Sequence, residues 1–497
     1  MPRRGLRCQR LKFLDESDLK ALYFAVIETL SEMGVKMDYR PALELFADHH
    51  GAVVDWDNHV VKISEGLLRK ALQTAPSFFT LYGKTEDYDV KVDLERVYTM
   101  SGSCALHVLD LDGNHRLAVR EDLRLMTRLL DHMPNLDIMH QIVIPSDVDE
   151  IGYELVNFAT CYTNTWRNFY SQAQTAESVR DQVRMAAVFQ GSTEEVKRKP
   201  TFTEVVCMIS PLKHEPQNSE VIMESARWNI PLYIEVDSLC GATTPAPIAG
   251  TLVEQAANVL AGVVLAQLVN PGTPCIFAIA SGIIDMRTGV YSGGAPETTL
   301  IHAATAQLAH YFGLPFQGGT GIDAKLPDAQ AGYERALQVL TNMLSGTNFI
   351  HLAYGMMEQM LLASYEQCLI DEEIIGACFR IARGFEVNDF TLSVDLLRKE
   401  GGPLGKHFLT KRETREFYRQ DRWIPTLTNR DPWDKWEAAG AKSMRQYANE
   451  LARKILAQAE QEPLPVTPEQ AAEIEAICQE GVRKAKEIIR QREESRK

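Results

Sequence analysis

Two acidic side chains close a short apolar segment and are the first candidates for a binding site. In the segment 232–237 (LYIEVD), apolar residues alternate with Tyr233, Glu235 and Asp237. Successive side chains of a β-strand point to opposite faces, so these three residues share one face. Two carboxylates beside an aromatic ring suit a cationic ligand. The alternative is that Glu235 forms an ion pair with a neighbouring Lys or Arg, because a buried charge needs a partner.

Further aromatic and polar residues lie late in, or just after, similar segments. Any one ring could instead fill a core, but we expect some of them to surround a bound cationic group. Tyr98 and Tyr354 are favoured because they come late on, or just after, their strands. The aromatic candidates are Tyr98, Tyr170, Tyr233, Phe277, Phe316 and Tyr354, and the polar candidates are Gln172, Gln317 and His351. His351 has the alternative role of a hydrogen-bonded core residue.

A glycine-rich stretch, GGTGIDAKLPDAQ (318–330), precedes a predicted helix. It is not a nucleotide-binding P-loop, since Lys325 lacks the GK[ST] context. Two interpretations stay open: anion binding at the helix start, or close approach of a ligand or cofactor to the backbone. We expect Gly318, Gly319, Gly321 and Asp323 to lie near such a ligand or cofactor.

A zinc site is a competing hypothesis. Cys207, Cys240 and His351 all fall near the predicted carboxyl ends of strands, and two Cys with one His can make a catalytic zinc site. Their spacing matches no local zinc motif, and buried cysteines are common. We therefore predict no metal ligands.

The elements that must position these residues alternate between short strands and long helices. Eight such strand–helix units predict an α/β fold, a (β/α)₈ TIM barrel, whose active site lies at the carboxyl ends of the strands. We expect an N-terminal α+β extension over 1–97, the barrel over 98–395, and a C-terminal wrapping extension with a terminal helix over 396–497. The predicted strands are Tyr98–Ser101, Leu136–Ile144, Asn168–Gln172, Glu204–Ser210, Leu232–Val236, Ile276–Ala280, Pro315–Gln317 and Phe349–Leu352.

Composition narrows the class of protein. The net charge of −15 argues against a protein that follows nucleic-acid phosphates. The longest apolar stretch, 258–269, is shorter than a membrane span, and the start lacks the apolar core of a secretory signal. Nine cysteines without a CxxC pair indicate a reducing, cytoplasmic location. The oligomeric state stays open.

Long segments of the chain resemble the trimethylamine:corrinoid methyltransferase family. The resemblance rests on 231–252, 264–289, 318–337 and 343–376, and extends over about 106–436. Founding members of that family carry pyrrolysine, whereas this sequence contains only the twenty standard residues. It is therefore similar to the branch without pyrrolysine, whose members demethylate quaternary amines such as glycine betaine, proline betaine or carnitine.

The resemblance implies a methyltransferase that moves a methyl group from a quaternary amine, with glycine betaine as the first candidate, to the cobalt(I) corrinoid of a partner protein. No cofactor would be held tightly by this chain, because the partner supplies the corrinoid. The leaving group is a neutral tertiary amine, so no side chain need act as general acid or nucleophile, and we name no catalytic residue. The alternatives are a non-catalytic betaine-binding protein, a zinc-dependent methanol or thiol methyltransferase, and trimethylamine as substrate.

This mechanism predicts that Lys325 does no chemistry. We expect Lys325→Ala to keep the rate of methyl transfer within about tenfold of the parent rate, a barrier change near 1.4 kcal/mol. The measurement is single-turnover transfer to reduced corrinoid protein. A loss on the order of a thousandfold with intact substrate binding would show that direct displacement is wrong.

Overall fold

Eight short parallel strands, β1 to β8, form the centre of the computed structural model, which describes residues 6–7, 11–319, 321–403, 405 and 407–494. Each predicted strand is confirmed, although four of the eight are shorter than predicted. The strands are Tyr98–Thr99 (β1), Met139–His140 (β2), Phe169–Gln172 (β3), Phe202–Met208 (β4), Leu232–Val236 (β5), Cys275–Ile279 (β6), Phe316–Gly318 (β7) and Phe349–Ile350 (β8).

The strands follow one another around the sheet in chain order, and β8 pairs with β1. A parallel bridge between Met100 and Ile138 joins the ends of β1 and β2 and closes the ring. Closure leaves no free sheet edge, as expected for a (β/α)₈ barrel. The predicted fold class is therefore confirmed.

A helix follows each strand and covers the outside of the barrel. The helices are Arg120–Asp131 (α1), Tyr153–Tyr162 (α2), Ala176–Gln190 (α3), Pro216–Arg227 (α4), Ile248–Val269 (α5), Pro296–Tyr311 (α6), Ala329–Ser345 (α7) and Tyr365–Ala382 (α8). A short helix, Thr193–Arg198, follows α3, and a two-residue strand, Lys213–His214, precedes α4.

Side chains alternate between the inside and the outside of the barrel. The interior contains one buried apolar cluster that includes Tyr98, Tyr170, Tyr233 and Phe349. A hairpin of Phe79–Leu81 and Val90–Val92 supplies Leu81, Val90 and Val92 to the same cluster. It closes the amino-terminal end of the barrel, so access to the interior is from the carboxyl-terminal mouth.

An α+β extension formed by the N-terminal region covers α5. Its elements are helix Glu16–Glu28, turn Thr29–Met33, strands Val35–Met37, Ala52–Asp55 and Val60–Ile63, and helices Arg40–Ala47 and Glu65–Thr74. Helix α5 is long and apolar enough to cross a membrane, but 83% of its most apolar window is buried inside the protein. Helix α5 is apolar all round because it packs against the barrel on one side and against the N-terminal extension on the other.

Two small sheets flank the mouth of the barrel. One consists of the hairpin His107–Leu109 and His115–Leu117 together with Met356–Met357 and Leu362–Ser364. The other sheet consists of Leu239–Cys240, Gly282–Asp285 and Val290–Ser292.

The C-terminal part begins with residues 383–425, which we call the arm, and returns to the barrel after it. The arm contains Asp389–Leu392, Val394–Leu396, Leu397–Gly401 and Arg412–Asp421. Helix Trp433–Ala438 follows, Met444–Ala459 packs on α8 and α1, and Pro468–Glu494 packs on α3 and α2. Thr467 caps the last helix together with Gln470.

A fully buried ion pair fixes the last βα connection. Arg335 on α7 donates to Asp371 on α8 at 3.0 Å, and both side chains are at most 1% exposed. Asp371 also accepts from the Gly355 amide at 2.7 Å, and Arg335 donates to the Met356 carbonyl at 3.0 Å. The pair therefore ties both helices to the segment that follows β8.

Removal of one partner should be strongly destabilising, because the other charge stays buried alone. We expect Arg335→Met to lower the free energy of unfolding by about 3–5 kcal/mol in urea denaturation. Adding Asp371→Leu should recover much of that loss. Arg40→Met removes an exposed pair with Glu44 and should have no measurable effect. A double variant no more stable than Arg335→Met would contradict this.

Candidate functional site

Glu235 lies inside the barrel near its mouth and accepts three hydrogen bonds from neutral groups. Its Oε2 accepts from the Gln317 amide at 2.7 Å and from the Tyr170 hydroxyl at 3.2 Å. Its Oε1 accepts from the Cys207 thiol at 3.3 Å. These donors come from β7, β3 and β4, so strands on different sides of the barrel hold one carboxyl group.

A buried chain of hydrogen bonds continues from Gln317 to two histidines. Gln317 Nε2 donates to His351 Nδ1 at 3.1 Å, and His351 Nε2 lies 3.1 Å from His140 Nδ1. Burial lowers the pKa of His351 to about 3, and burial with repulsion from His351 holds the pKa of His140 well below its usual range. Both rings are neutral, so the floor of the site carries no fixed positive charge.

Asp237 lies above Glu235 in a recess that solvent enters. Its side chain is exposed, yet protein atoms surround the carboxyl group. One oxygen of Asp237, one of Glu235 and the Cys207 sulfur lie within 4.8 Å of one another. Cys104 is also close enough for both carboxylates to raise the pKa of its thiol, although burial raises it more.

Glu235 and Asp237 lie so close together that ionisation of both carboxyl groups is unfavourable. Burial, followed by repulsion from Glu235, raises the pKa of Asp237 to about 8. Burial also raises the pKa of Glu235, and its three hydrogen bonds oppose that rise. No Lys or Arg forms an ion pair with either acid among the described residues. A cation entering the recess would supply the missing positive charge.

Comparison with known proteins identifies the family. The family model for trimethylamine methyltransferase (MTTB) matches residues 3–480. The chain belongs to the trimethylamine methyltransferase family. It is 31% identical over 480 residues to glycine betaine methyltransferase of Desulfitobacterium hafniense, an alignment that covers 96% of this chain and 98% of that protein. It is 33% identical to trimethylamine methyltransferase MttB of Methanosarcina thermophila, over 91% of this chain and 94% of that protein.

Membership in the trimethylamine methyltransferase family makes this chain a methyltransferase, as predicted. Among solved structures, monomethylamine methyltransferase (MtmB) of Methanosarcina barkeri matches at 14% identity with a TM-score of 0.49, over 92% of this chain and 96% of that chain. The curated relatives carry the names of enzymes that act on methylated amines.

The structure brings together most polar residues that the sequence singled out. Tyr170, Glu235, Gln317 and His351 form one hydrogen-bonded group. Tyr233 lies on the same inward face as Glu235, and its ring contacts that of Tyr170 at 4.6 Å. Gln172 follows Tyr170 on the inward face of β3 and is half-buried.

Tyr98 and Tyr354, the two favoured rings, lie away from the recess. The Tyr98 hydroxyl donates to the Lys91 carbonyl at 2.8 Å in the hairpin that closes the opposite end of the barrel. Tyr354 belongs to the layer between barrel and helices, and its hydroxyl donates to Glu372 on α8 at 2.9 Å. Position near a strand end was the wrong criterion, because it ignores which way the side chain points.

Phe277 and Phe316 also face the helices. Both belong to the cluster that packs α5 and α6 on the barrel, whereas Ile276 and Ala278 face the interior. Their rings lie 6.1 Å apart on the outer surface of β6 and β7. Phe277 and Phe316 therefore do not belong to the group of rings that was expected to surround the ligand.

The glycine-rich loop is explained in part by close packing of the chain. Gly319 has φ of +134°, and a Cβ there would lie 2.2 Å from the His351 carbonyl oxygen. The Gly319 amide donates to His302, and Gly318 lies against the same ring. A Cβ on Gly321 would lie 3.1 Å from Met360. Asp323 accepts from Gln359 at 3.2 Å, which anchors the loop beside the mouth.

Lys325 is an exposed residue of this loop. Its Nζ donates to the Asp323 carbonyl at 2.7 Å, rather than to the side chain of Asp323 or Asp328. Its location is consistent with a role outside the reaction, which remains a prediction.

The Cys207, Cys240 and His351 triplet of the competing zinc hypothesis does not assemble. The Cys240 thiol donates to the Ala246 carbonyl at 3.1 Å, and His351 is bonded to Gln317 and His140. Among described residues the single group with metal-ligand geometry is Cys207, Glu235 and Asp237. A thiolate and two carboxylates can bind a divalent zinc ion, so the zinc hypothesis moves to these residues.

His140, Cys104 and Tyr153 near the recess were not selected from the sequence. His140 lies on β2 two residues after the inward-facing Ile138, so strand alternation could have found it. Tyr153 opens α2, and burial raises its pKa to about 12, with smaller contributions from Glu154, Cys104 and Cys207. Cys104, in a loop, and Tyr153, the first residue of α2, offer no such periodic signal.

The raised pKa of Asp237 predicts a pH-dependent stability. The folded protein holds a proton at Asp237 that the unfolded chain, with a pKa near 3.9, releases between about pH 4 and pH 8. Wild-type stability should therefore fall as pH rises through that window. Asp237→Asn cannot ionise, so its melting temperature relative to wild type should increase between about pH 5 and pH 8.5.

Thermal melts of both proteins across this range test the prediction. The control is Asp57→Asn on an exposed turn, whose difference from wild type should not change with pH. A constant difference for Asp237→Asn as well would show that Asp237 titrates as an ordinary surface acid.

Proposed function

We propose that this protein transfers a methyl group from a quaternary amine to the cobalt(I) corrinoid of a partner protein. The observation that carries the proposal is the Glu235–Asp237 pair, which lies in the barrel mouth without a described cationic partner. A quaternary ammonium has a permanent charge of +1 and no N–H to donate, so it is recognised by charge and shape alone.

Charge complementarity explains how the site would select such a ligand. In the free site the pair retains a proton, because two carboxylates this close disfavour double ionisation. Binding of an ammonium group favours the ionised form and gives the pair a neutralising partner. The neutral histidines below add no repulsion, and the aromatic faces of Tyr170 and Tyr233 form the adjoining interior surface.

The residues around Glu235 would orient the substrate rather than react with it. Tyr170 and Gln317 fix the Glu235 carboxylate, and His351 fixes the amide of Gln317 through its acceptor nitrogen. A fixed carboxylate holds the ammonium in one place, so that one N–methyl bond can point toward the mouth. The bond from nitrogen to the departing methyl breaks, and its electron pair stays on nitrogen as a neutral tertiary amine.

The methyl acceptor must be a strong nucleophile that reaches the recess from solvent. A cobalt(I) corrinoid supplies that nucleophilicity when the partner protein presents it. Asp237 is accessible, so the recess is open to an incoming group. The described cysteines are free thiols, in keeping with a proposed cytoplasmic location.

Family membership favours methyl transfer over a non-catalytic betaine-binding role. Glycine betaine and trimethylamine both occur in the names of the relatives, so the substrate must be decided by experiment. The zinc alternative rests on the Cys207, Glu235 and Asp237 group. It would use the same carboxylates for a metal ion, so the two functions exclude one another.

Exchange of Glu235 for its neutral isostere tests the role of the pair. We expect Glu235→Gln to lower kcat/KM for quaternary amines at least about tenfold, near 1.4 kcal/mol, mainly through KM, because the attraction for the cation is lost. Purified protein, reduced corrinoid protein and glycine betaine, choline or trimethylamine would be mixed. Absorbance would follow the methylated corrinoid, and mass spectrometry the demethylated amine.

Glu204→Gln is the matched control. Glu204 is a fully buried glutamate on β4, on the face opposite to Val205 and Cys207 and near Glu154 of α2. It should leave kcat/KM within about threefold. Unchanged kinetics in Glu235→Gln would contradict the cation role. Stoichiometric zinc with transfer from methanol or a thiol would favour the metal alternative, and substrate binding without transfer would favour the binding protein.

A further inference from the structure

A cavity of about 370 Å³, which we call the side cavity, lies beside the barrel mouth. The starts of α2, α3 and α4 and the terminal helix Pro468–Glu494 enclose it. Each of these three helices begins near the carboxyl end of the strand before it, so the cavity lies at the same end of the barrel as the recess. Its charged lining residues are Glu150, Glu154, Glu177, Asp181, Glu220 and Lys484. Glu150 and Lys484 are exposed, so solvent reaches the cavity.

Tyr153 lies between the side cavity and the recess. Its side chain lines the cavity, and its hydroxyl accepts from the Gln174 amide at 3.4 Å. Burial raises the pKa of Tyr153 to about 12, and the nearby thiols of Cys104 and Cys207 contribute to that rise. The same two thiols lie beside the acids of the recess. One aromatic side chain, held by a long hydrogen bond, therefore separates the two spaces.

The wall of the side cavity carries more negative charge than its own partners balance. Two of its five acids are paired with arginines of α3, and its lysine is paired with Glu480. Glu150, Glu154 and Glu220 form no ion pair with a described residue. Three acids around one cavity favour a cationic ligand.

Glu154 is the buried acid of this group. It is 4% exposed, and it lines the cavity. The Ser178 hydroxyl donates to one of its carboxyl oxygens at 2.9 Å, and no described side chain donates to the other. Burial raises the pKa of Glu154. A buried carboxyl group with a free acceptor oxygen is stabilised by a cation that can donate a hydrogen bond.

Under the proposed function, on which this inference rests, the recess must release a tertiary amine while the corrinoid protein covers the mouth. At neutral pH a tertiary amine takes up a proton from solvent and becomes a cation with one N–H group. We propose that the side cavity binds this protonated amine, and that movement of the Tyr153 ring lets the amine pass from the recess. The unpaired acids match its charge, and Glu154 accepts its N–H.

Titration calorimetry with trimethylammonium chloride tests the site in the absence of corrinoid protein. Glu235→Gln weakens the recess, and we expect this variant to retain binding in the side cavity. Adding Glu154→Gln should raise the Kd at least about tenfold, because the acceptor charge is lost. Adding Glu150→Gln, at an exposed position where folding is not at risk, should raise the Kd as well.

Glu366→Gln is the matched control for the titration. Glu366 is a glutamate of α8, 2% exposed, that lines neither the side cavity nor the recess. Added to Glu235→Gln, it should leave the Kd unchanged. No binding to Glu235→Gln, or a Kd that both cavity variants leave unchanged, would overturn the proposal.

Turnover kinetics test the exit of the product. We expect Glu154→Gln to lower steady-state kcat at least about fivefold more than it lowers the single-turnover rate, because release of the amine becomes slow. Equal losses in the two rates, or no loss in either, would overturn the exit role. Absence of methyl transfer in wild type would overturn the proposed function, whereas loss of cavity binding alone would overturn only this inference.

Discussion

The placement of two carboxyl groups inside a barrel mouth is the constraint on which the remaining site depends. A buried carboxylate is costly unless hydrogen bonds or a cation compensate it. Here Gln317, Tyr170 and Cys207 compensate Glu235 only with neutral donors. Neutral donors stabilise the charge in part and leave the pKa of both acids raised. The carboxyl pair thus has no described positive partner, and this deficit is the basis of the cation binding proposed above.

The closed barrel positions the groups that surround the two carboxyl groups. The donors to Glu235 come from three strands, so their positions are set by the closed sheet rather than by loops. The apolar layer of Tyr233 and Phe349 and the hairpin at the far end exclude water from below. Water can therefore reach the acids only from the mouth, and the recess has a single open side.

The barrel fold and the inward orientation of Glu235 could be predicted from the sequence. The positions of the aromatic side chains could not all be predicted in this way. Repeated strand–helix units predict a barrel because eight such units are the number that closes a parallel sheet into a (β/α)₈ barrel. Alternation along β5 oriented Glu235 correctly. The same rule, applied to β6 and β7, would have turned Phe277 and Phe316 outward, and applied to β2 it would have revealed His140. To place Tyr98 correctly, one must know which end of the barrel it occupies. To place Tyr354, one must know that it lies in the layer between the barrel and the helices.

The proposed function also bears on whether a reactive side chain is needed. A nucleophilic residue is useful when the leaving group is poor or the acceptor is weak. With a quaternary ammonium the leaving group would be a neutral amine, and the protein would only have to desolvate the cation and align one bond. The geometry fits such an alignment role, because Glu235 is held by three donors and Lys325 donates to the backbone of its own loop. Under this proposal the chemistry lies with the acceptor, and the chain contributes position and electrostatic complementarity.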